Sequence, residues 1–355
     1  MTFEEARAQF PVLERLAYLQ AGSVGPLTRA TGDAMQAETE RNVADGRAGA
    51  AYIQRVLALR SELRAALAAT VSAAPEHVVL TTSTTDGCNL VLEGLDLRPD
   101  DEIVTTTDEH FGLLGPLHVS GARVVVVSPA PDAILAAVSR RTRLLALSHV
   151  LWTTGEVLPV HELRERSGVP VLVDGAQSVG AIPVDARGVD FLTISGQKWL
   201  CGPESTGALV VADPERLRVA RPSYFSQESY DPDGAFVPWP DARRFDPHWV
   251  PAALMTGLIT ALSLRPEGRF EQAAVMAERC RELLAGVGED VVVPARRATL
   301  VSWRPRGEET GAVVERLAGA GVIVRDLPGT GLVRASVGWW TNEDDLVRLV
   351  EALAP

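Results

Sequence analysis

Short β-branched runs recur at regular intervals between residues 77 and 213: HVVLTT (77–82), EIVTTT (102–107), RVVVVS (123–128), RLLALSHV (143–150), PVLVDGA (170–176), FLTISG (191–196) and GALVVAD (207–213). Several are apolar at successive positions, the pattern of strands buried on both faces. Segments of helical length separate them, PDAILAAVSRR (131–141) and HELRERSG (161–168) among them. Such segments suit crossovers between parallel strands. The pattern predicts a seven-stranded, mostly parallel α/β sheet with helices on both faces. The last two runs are so close that they can pair antiparallel, as an edge.

The rhythm then changes. Residues 222–251 mix prolines with aromatics and charges, a long irregular connection of the kind that often carries function. A helix-like stretch follows (252–286), then short strands (VVVP, TLVSW, GVIVRD, LVRASVG) and a closing helix, for which Thr341-Asn-Glu-Asp344 reads as a capping box. The division expected is an N-terminal helix within residues 1–17 packing on one of the domains, a large domain over 18–245 and a smaller α+β domain over 246–355.

Composition narrows the function classes. The 355 residues carry a formal net charge of −12 with no block of Lys or Arg, which argues against binding a nucleic-acid backbone. No apolar run is long enough to span a bilayer, and MTFEEARAQF lacks the features of a signal peptide. A cytoplasmic protein is expected. Cys88, Cys201 and Cys280 are odd in number and widely spaced, so neither a disulfide framework nor a metal cluster is expected.

In an open parallel sheet, ligands gather at the carboxyl ends of the strands. After the first run, Ser83, Thr84 and Thr85 lead into a helix, where they can cap it or receive a phosphate. His110 follows the second run. Asp174 ends the fifth behind four apolar residues, a costly position for a carboxylate without a partner. Lys198, in SGQKWLCGP, follows the sixth; an amine at the edge of a desolvated site is a usable carbonyl nucleophile. Anion cradle, histidine, Asp and Lys at successive strand ends suit pyridoxal 5′-phosphate (PLP).

On these residues the sequence resembles the fold-type I enzymes of the class V aminotransferase and cysteine desulfurase family. The most specific likeness is VDGAQSVG with SGQKWLCGP, where 198 − 174 = 24 residues separate Asp from Lys. The resemblance implies that Lys198 forms the Schiff base with PLP and that Asp174 partners its ring nitrogen. It implies that Gln177 bonds the ring oxygen and that His110 stacks on the ring. Thr84, Thr85, Ser195 and Gln197 would hold the phosphate, although many relatives have histidine at the place of Gln197. Trp152 would contact the ring or substrate, and Arg334 would bind the substrate carboxylate. A homodimer is implied as well.

Two departures bear on the reaction. Desulfurases use a cysteine on a C-terminal loop before the arginine, yet residues 281–334 contain none. Where many relatives place a Gly-Thr pair after an Arg-Phe-Glu segment, this chain has Pro247 and His248 in ARRFDPHWVP, which leaves His248 or Trp249 as substitutes. The expected activity is transamination or β-elimination (C–S lyase) on an amino acid, with epimerisation next and desulfurase chemistry disfavoured. A phosphate-binding α/β protein without covalent cofactor is the non-enzymatic alternative. Trp152, Trp239, Trp249, Trp339 and Trp340 suggest an aromatic-lined mouth.

Overall fold

The computed structural model describes residues 1–354. Its first helix, Phe3–Arg7, opens on a capping box between Thr2 and Glu5 and ends well before residue 16. Phe10 is extended and Pro11 begins a separate 3-10 turn, Pro11–Glu14, as suits a residue with fixed φ and no N–H. The chain next forms β1 (Ala17–Tyr18), which pairs in parallel with Val322–Ile323. Phe10 packs on Trp339 and Trp340, with ring centroids 5.6 and 5.7 Å away. Arg7 forks onto Asp345 at 2.8 and 3.1 Å. The N-terminal segment thus rests on C-terminal elements.

The large sheet comprises β2 (Val78–Thr81), β3 (Glu102–Thr106), β4 (Arg123–Val127), β5 (Thr142–Ser148), β6 (Val171–Asp174), β7 (Phe191–Ser195) and β8 (Gly207–Val211). Its order is β2-β8-β7-β6-β5-β3-β4. Neighbours from β7 to β4 run parallel, and β8 runs antiparallel to both β7 and β2. The antiparallel member is therefore inside the sheet, because the first run returns to cover it. β2, β3, β6, β7 and β8 are buried at every position, whereas the edge strand β4 is partly exposed. That contrast follows from helices on both faces of the inner strands.

The connection after β8 carries a hairpin, β9 (Gln227–Tyr230) and β10 (Phe236–Pro238). It ends at Asp246, whose buried carboxylate accepts from Arg60 at 2.9 Å and Arg64 at 2.6 Å. The expected helix over 252–286 is two helices, Ala252–Ser263 and Arg269–Gly286, broken where Gly268 takes a left-handed φ of +68°. The first of them packs on helices Arg29–Ala44 and Gly49–Thr70, and its Met255 and Leu258 join the core under the large sheet. The sequence division at 246 groups this helix with the C-terminal unit; its contacts are with the large one.

The C-terminal sheet contains β11 (Asp290–Val291), β12 (Leu300–Arg304), β14 (Arg325–Leu327) and β15 (Leu332–Ser336), antiparallel in the order β11-β12-β15-β14. The strand β13 (Val322–Ile323) leaves it to pair with β1. The last helix, Glu343–Leu353, is capped by Asn342 and Asp345, one position later than expected. Among the described residues no helix is long and apolar enough to cross a membrane.

Candidate active site

β6 and β7 are parallel neighbours with Asp174 opposite Thr193, so Asp174 and the turn after β7 emerge at the same end of the sheet. Asp174 is 4% exposed, and its Oδ1 accepts from Ala176 N–H at 2.8 Å. Lys198 stands in that turn. Burial pushes its amine down from 10.5 to about 8; Asp174 opposes the shift, and Arg334 and Arg325 add to it.

Glycines let the leading segment press on this turn. Gly25 N–H donates to Gln197 O at 2.7 Å, and a Cβ on Gly25 would lie 2.1 Å from Lys198 O. Gln177 links the same layers: its Nε2 donates to Gly22 O at 2.8 Å and its Oε1 accepts from the buried Trp199 Nε1 at 3.0 Å. A Cβ on Gly22 would lie 2.7 Å from Arg334 Nη2, 2.9 Å from Gln177 Oε1 and 2.9 Å from Ser336 Oγ. Only glycine leaves these three polar groups so close together.

Ser83 is the N-cap of helix Thr84–Gly94, its hydroxyl accepting from Asp86 N–H at 3.1 Å. Thr84 and Thr85 are thus the first two helical residues, where backbone N–H groups lack intrahelical partners and favour an anion. In the turn after β7, Ser195 Oγ bonds Gln197 Oε1 at 2.8 Å, which leaves the Gln197 NH2 to donate elsewhere.

His110 caps helix Phe111–Val119, with Nδ1 accepting from Gly112 N–H at 3.0 Å. The proton of the neutral ring therefore sits on Nε2. Burial and then Lys198 hold its pKa below the usual 6.5, against Asp174, so the ring is mostly neutral at pH 7. It meets Trp152 edge-on, centroids 5.2 Å apart.

Arg334, on β15, is 1% exposed. Its Nη1 donates to Trp152 O at 2.8 Å, while Nε and Nη2 are buried without a partner. Burial and the neighbouring Arg325 push its pKa down to about 9. Arg325 lies directly opposite on β14, a repulsive pairing for like charges, and bonds Ser23 Oγ at 3.1 Å. Two guanidiniums with unused donors form a receptor for a carboxylate. The sequence reading missed Arg325, since GVIVRD reads as an ordinary strand and only the pairing with LVRAS brings it beside Arg334. It also missed Glu109, the buried carboxylate just before His110.

Other candidates lie apart from this cluster. His248 and Trp249 pack on Phe225, and Trp249 stacks on Tyr52 at 6.0 Å. Tyr224, Phe225, Trp239 and Asp246 help line one cavity of about 560 Å³, and Tyr52 and Trp249 help line another of about 560 Å³; neither is lined by Lys198. Trp339 and Trp340 are core residues against Phe10. Of the five tryptophans expected at an aromatic mouth, Trp152 is the one that contacts the cluster. All three cysteines are buried, and burial raises each thiol's pKa, that of Cys280 to about 12.

A family model for class-V aminotransferases matches residues 17–232. Isopenicillin N epimerase of Streptomyces clavuligerus is 28% identical in an alignment covering 99% of this chain and 97% of its own. Cysteine desulfurase of Salmonella dublin is 28% identical, with 99% and 98% covered. Two solved structures superpose with a TM-score of 0.90 at 28% identity. One is a lysine-to-alanine mutant of C-DES with glycine covalently linked to its PLP cofactor, 98% of each chain being covered. The other is the cystine C–S lyase C-DES with its product cysteine persulfide, covering 97% of this chain and 99% of that one.

Proposed function

The chain belongs to the aminotransferase class-V family, and from that premise we propose that it is a PLP-dependent C–S lyase acting on a cysteine-derived amino acid. The observation that carries the substrate side is Arg334, a buried guanidinium with Nε and Nη2 unpartnered. Such a group needs an anion, and an α-carboxylate fits its bidentate face. Arg325 opposite adds a second positive charge to the same subsite.

The residues around Lys198 fit the cofactor. Thr84, Thr85, Ser195 and Gln197 offer hydroxyl and amide donors for the phosphate at a helix start. Asp174 offers the carboxylate for a protonated ring nitrogen. The second N–H of the Gln177 amide remains for the ring oxygen, and His110 offers a neutral face for stacking. Bound there, PLP supplies an electron sink for the pair left when a Cα–H bond breaks.

The chain's own groups do the remaining work. The Lys198 amine, with its pKa pushed down to about 8, is partly unprotonated at neutral pH. It can act as nucleophile toward a carbonyl and as base toward the Cα proton. Arg334 and Arg325 hold the substrate by its carboxylate, so that this proton meets the amine. Trp152, fixed by its carbonyl to Arg334 and by its ring to His110, closes the side of the site.

β-Elimination is favoured over sulfur transfer to the protein because the three thiols are buried, which supports release of sulfur with the leaving group. Epimerisation is the second reading, favoured by likeness to isopenicillin N epimerase along nearly the whole chain. Transamination would require no leaving group. Product analysis with cystine and S-substituted cysteines separates the three. Pyruvate, ammonia and a thiol or persulfide support the lyase. Inversion with solvent deuterium at Cα supports the epimerase, and a keto acid that retains its β substituent supports the transaminase. The proposal includes a homodimer, in which exposed aromatic side chains such as Tyr224 and Trp249, both packed against Phe225, would be buried.

A further inference from the structure

The turn between β3 and helix Phe111–Val119 carries Asp108, Glu109 and His110, and each grips the segment that leaves β5. Asp108 Oδ1 accepts from Thr153 Oγ1 at 3.2 Å. The two oxygens of Glu109 accept from Ser148 N–H at 3.1 and 3.0 Å, and also from the hydroxyls of Ser148 and Thr106. The His110 ring meets Trp152. Both ends of the gripped segment touch the site: Ser148 lies beside Asp174 in the β5–β6 register, and Trp152 gives its carbonyl to Arg334.

Glu109 is 5% exposed, and every hydrogen bond it accepts comes from a neutral donor. Burying a carboxylate in this way is costly. A neutral amide would not serve equally, because its NH2 would turn a donor toward groups that themselves donate. The titratable groups facing it from other elements are acidic: Asp174 on β6 and the Cys88 thiol on helix Thr84–Gly94. His110 is its neighbour on the same turn.

We propose that Glu109 is a positioning residue: as an ionised acceptor it locks the His110 turn onto the Ser148–Thr153 segment, and so fixes His110 and Trp152 relative to Asp174 and Arg334. Its action on the reaction passes through those groups. Burial pushes its carboxyl up to about 7, so the lock loosens as pH falls below that value and the acceptor becomes a donor. Its negative charge also adds to that of Asp174, the carboxylate that would face the ring nitrogen.

The cofactor part of this inference rests on the function proposed above; the structural part does not. Glu109→Gln tests both. In the cofactor-free protein, proton NMR of His110 reads its seating against Trp152; the ring-current shift is expected to move toward the unstructured value. In the holoenzyme, the visible absorption band is expected to titrate about one pH unit lower, because a negative charge near the ring is lost. A folded Glu109→Gln protein with the His110 shift and the band midpoint both unchanged overturns the proposal. If wild type binds no PLP while the His110 shift still moves, the cofactor reading fails and the positioning role stands. Should Glu109→Gln fail to fold, Ser148→Ala removes one donor to the same carboxylate; a smaller change in the same direction is expected, and no change overturns the lock.

Discussion

Arg334 is held in the folded chain with its Nε and Nη2 unsatisfied, although buried polar groups are ordinarily paired. Truncating one side of a buried charge-assisted contact costs about 2–5 kcal/mol. Arg334→Ala is therefore expected to lower kcat/KM by about 30- to 4000-fold, and Arg334→Lys to recover only part, since an ammonium lacks the fork; steady-state kinetics check this. The lysine allows a test of electrostatics without cofactor. Its folded pKa of about 8 lies below its unfolded value, so the unfolded chain binds more protons between these limits. Stability then rises with pH: the burial cost is fully present below about 8 and is relieved as pH approaches 10.5. Urea denaturation of cofactor-free wild type, measured relative to Lys198→Met, should show wild type gaining between pH 8 and 10. A flat difference would mean that the amine is not desolvated. Lys198 and Asp174 were legible in the sequence because Asp174 ends one apolar strand and Lys198 stands in the turn just after the next. Arg325 was not, because its role depends on a pairing that residue type does not reveal.

At the scale of elements, the site is assembled by close approaches. The Gly25 backbone lies so near the Lys198 carbonyl that any side chain must displace one of them. Gly25→Ala is expected to weaken cofactor retention while leaving the far-UV spectrum intact, measured by dialysis and absorbance. The Asp246 clamp is a second such contact, since it satisfies both Arg60 and Arg64. Asp246→Ala would leave two buried guanidiniums unpaired, a loss of about 3–5 kcal/mol, to be read from the midpoint of chemical denaturation. Local pattern foretold seven strands but not that β8 would lie inside the sheet, because strand order is decided by contacts far apart in sequence. It likewise ran the helices 252–263 and 269–286 together. The break falls at Pro266 and Gly268, breaker residues that the sequence reading passed over, and one helix packs under the large sheet while the other packs on the C-terminal one.

At the scale of the whole molecule, the C-terminal sheet brings Arg334 and Arg325 over a site whose other members come from the large sheet. The N-terminal segment joins the two through β1 and Gly22. The three cysteines are all interior, so native protein is expected to react with less than one equivalent of thiol reagent and the unfolded chain with three. Cys201→Ser should retain turnover. A rapidly reacting native thiol carrying persulfide would instead favour sulfur transfer to the protein. The central claim, that Lys198 holds PLP covalently, is tested most directly by borohydride reduction of the protein as purified with PLP, followed by peptide mass spectrometry. The account predicts a phosphopyridoxyl adduct on Lys198, and a Lys198→Ala protein without the adduct or the visible band that reduction shifts. An adduct on another lysine, or none on a protein that retains turnover, would contradict it.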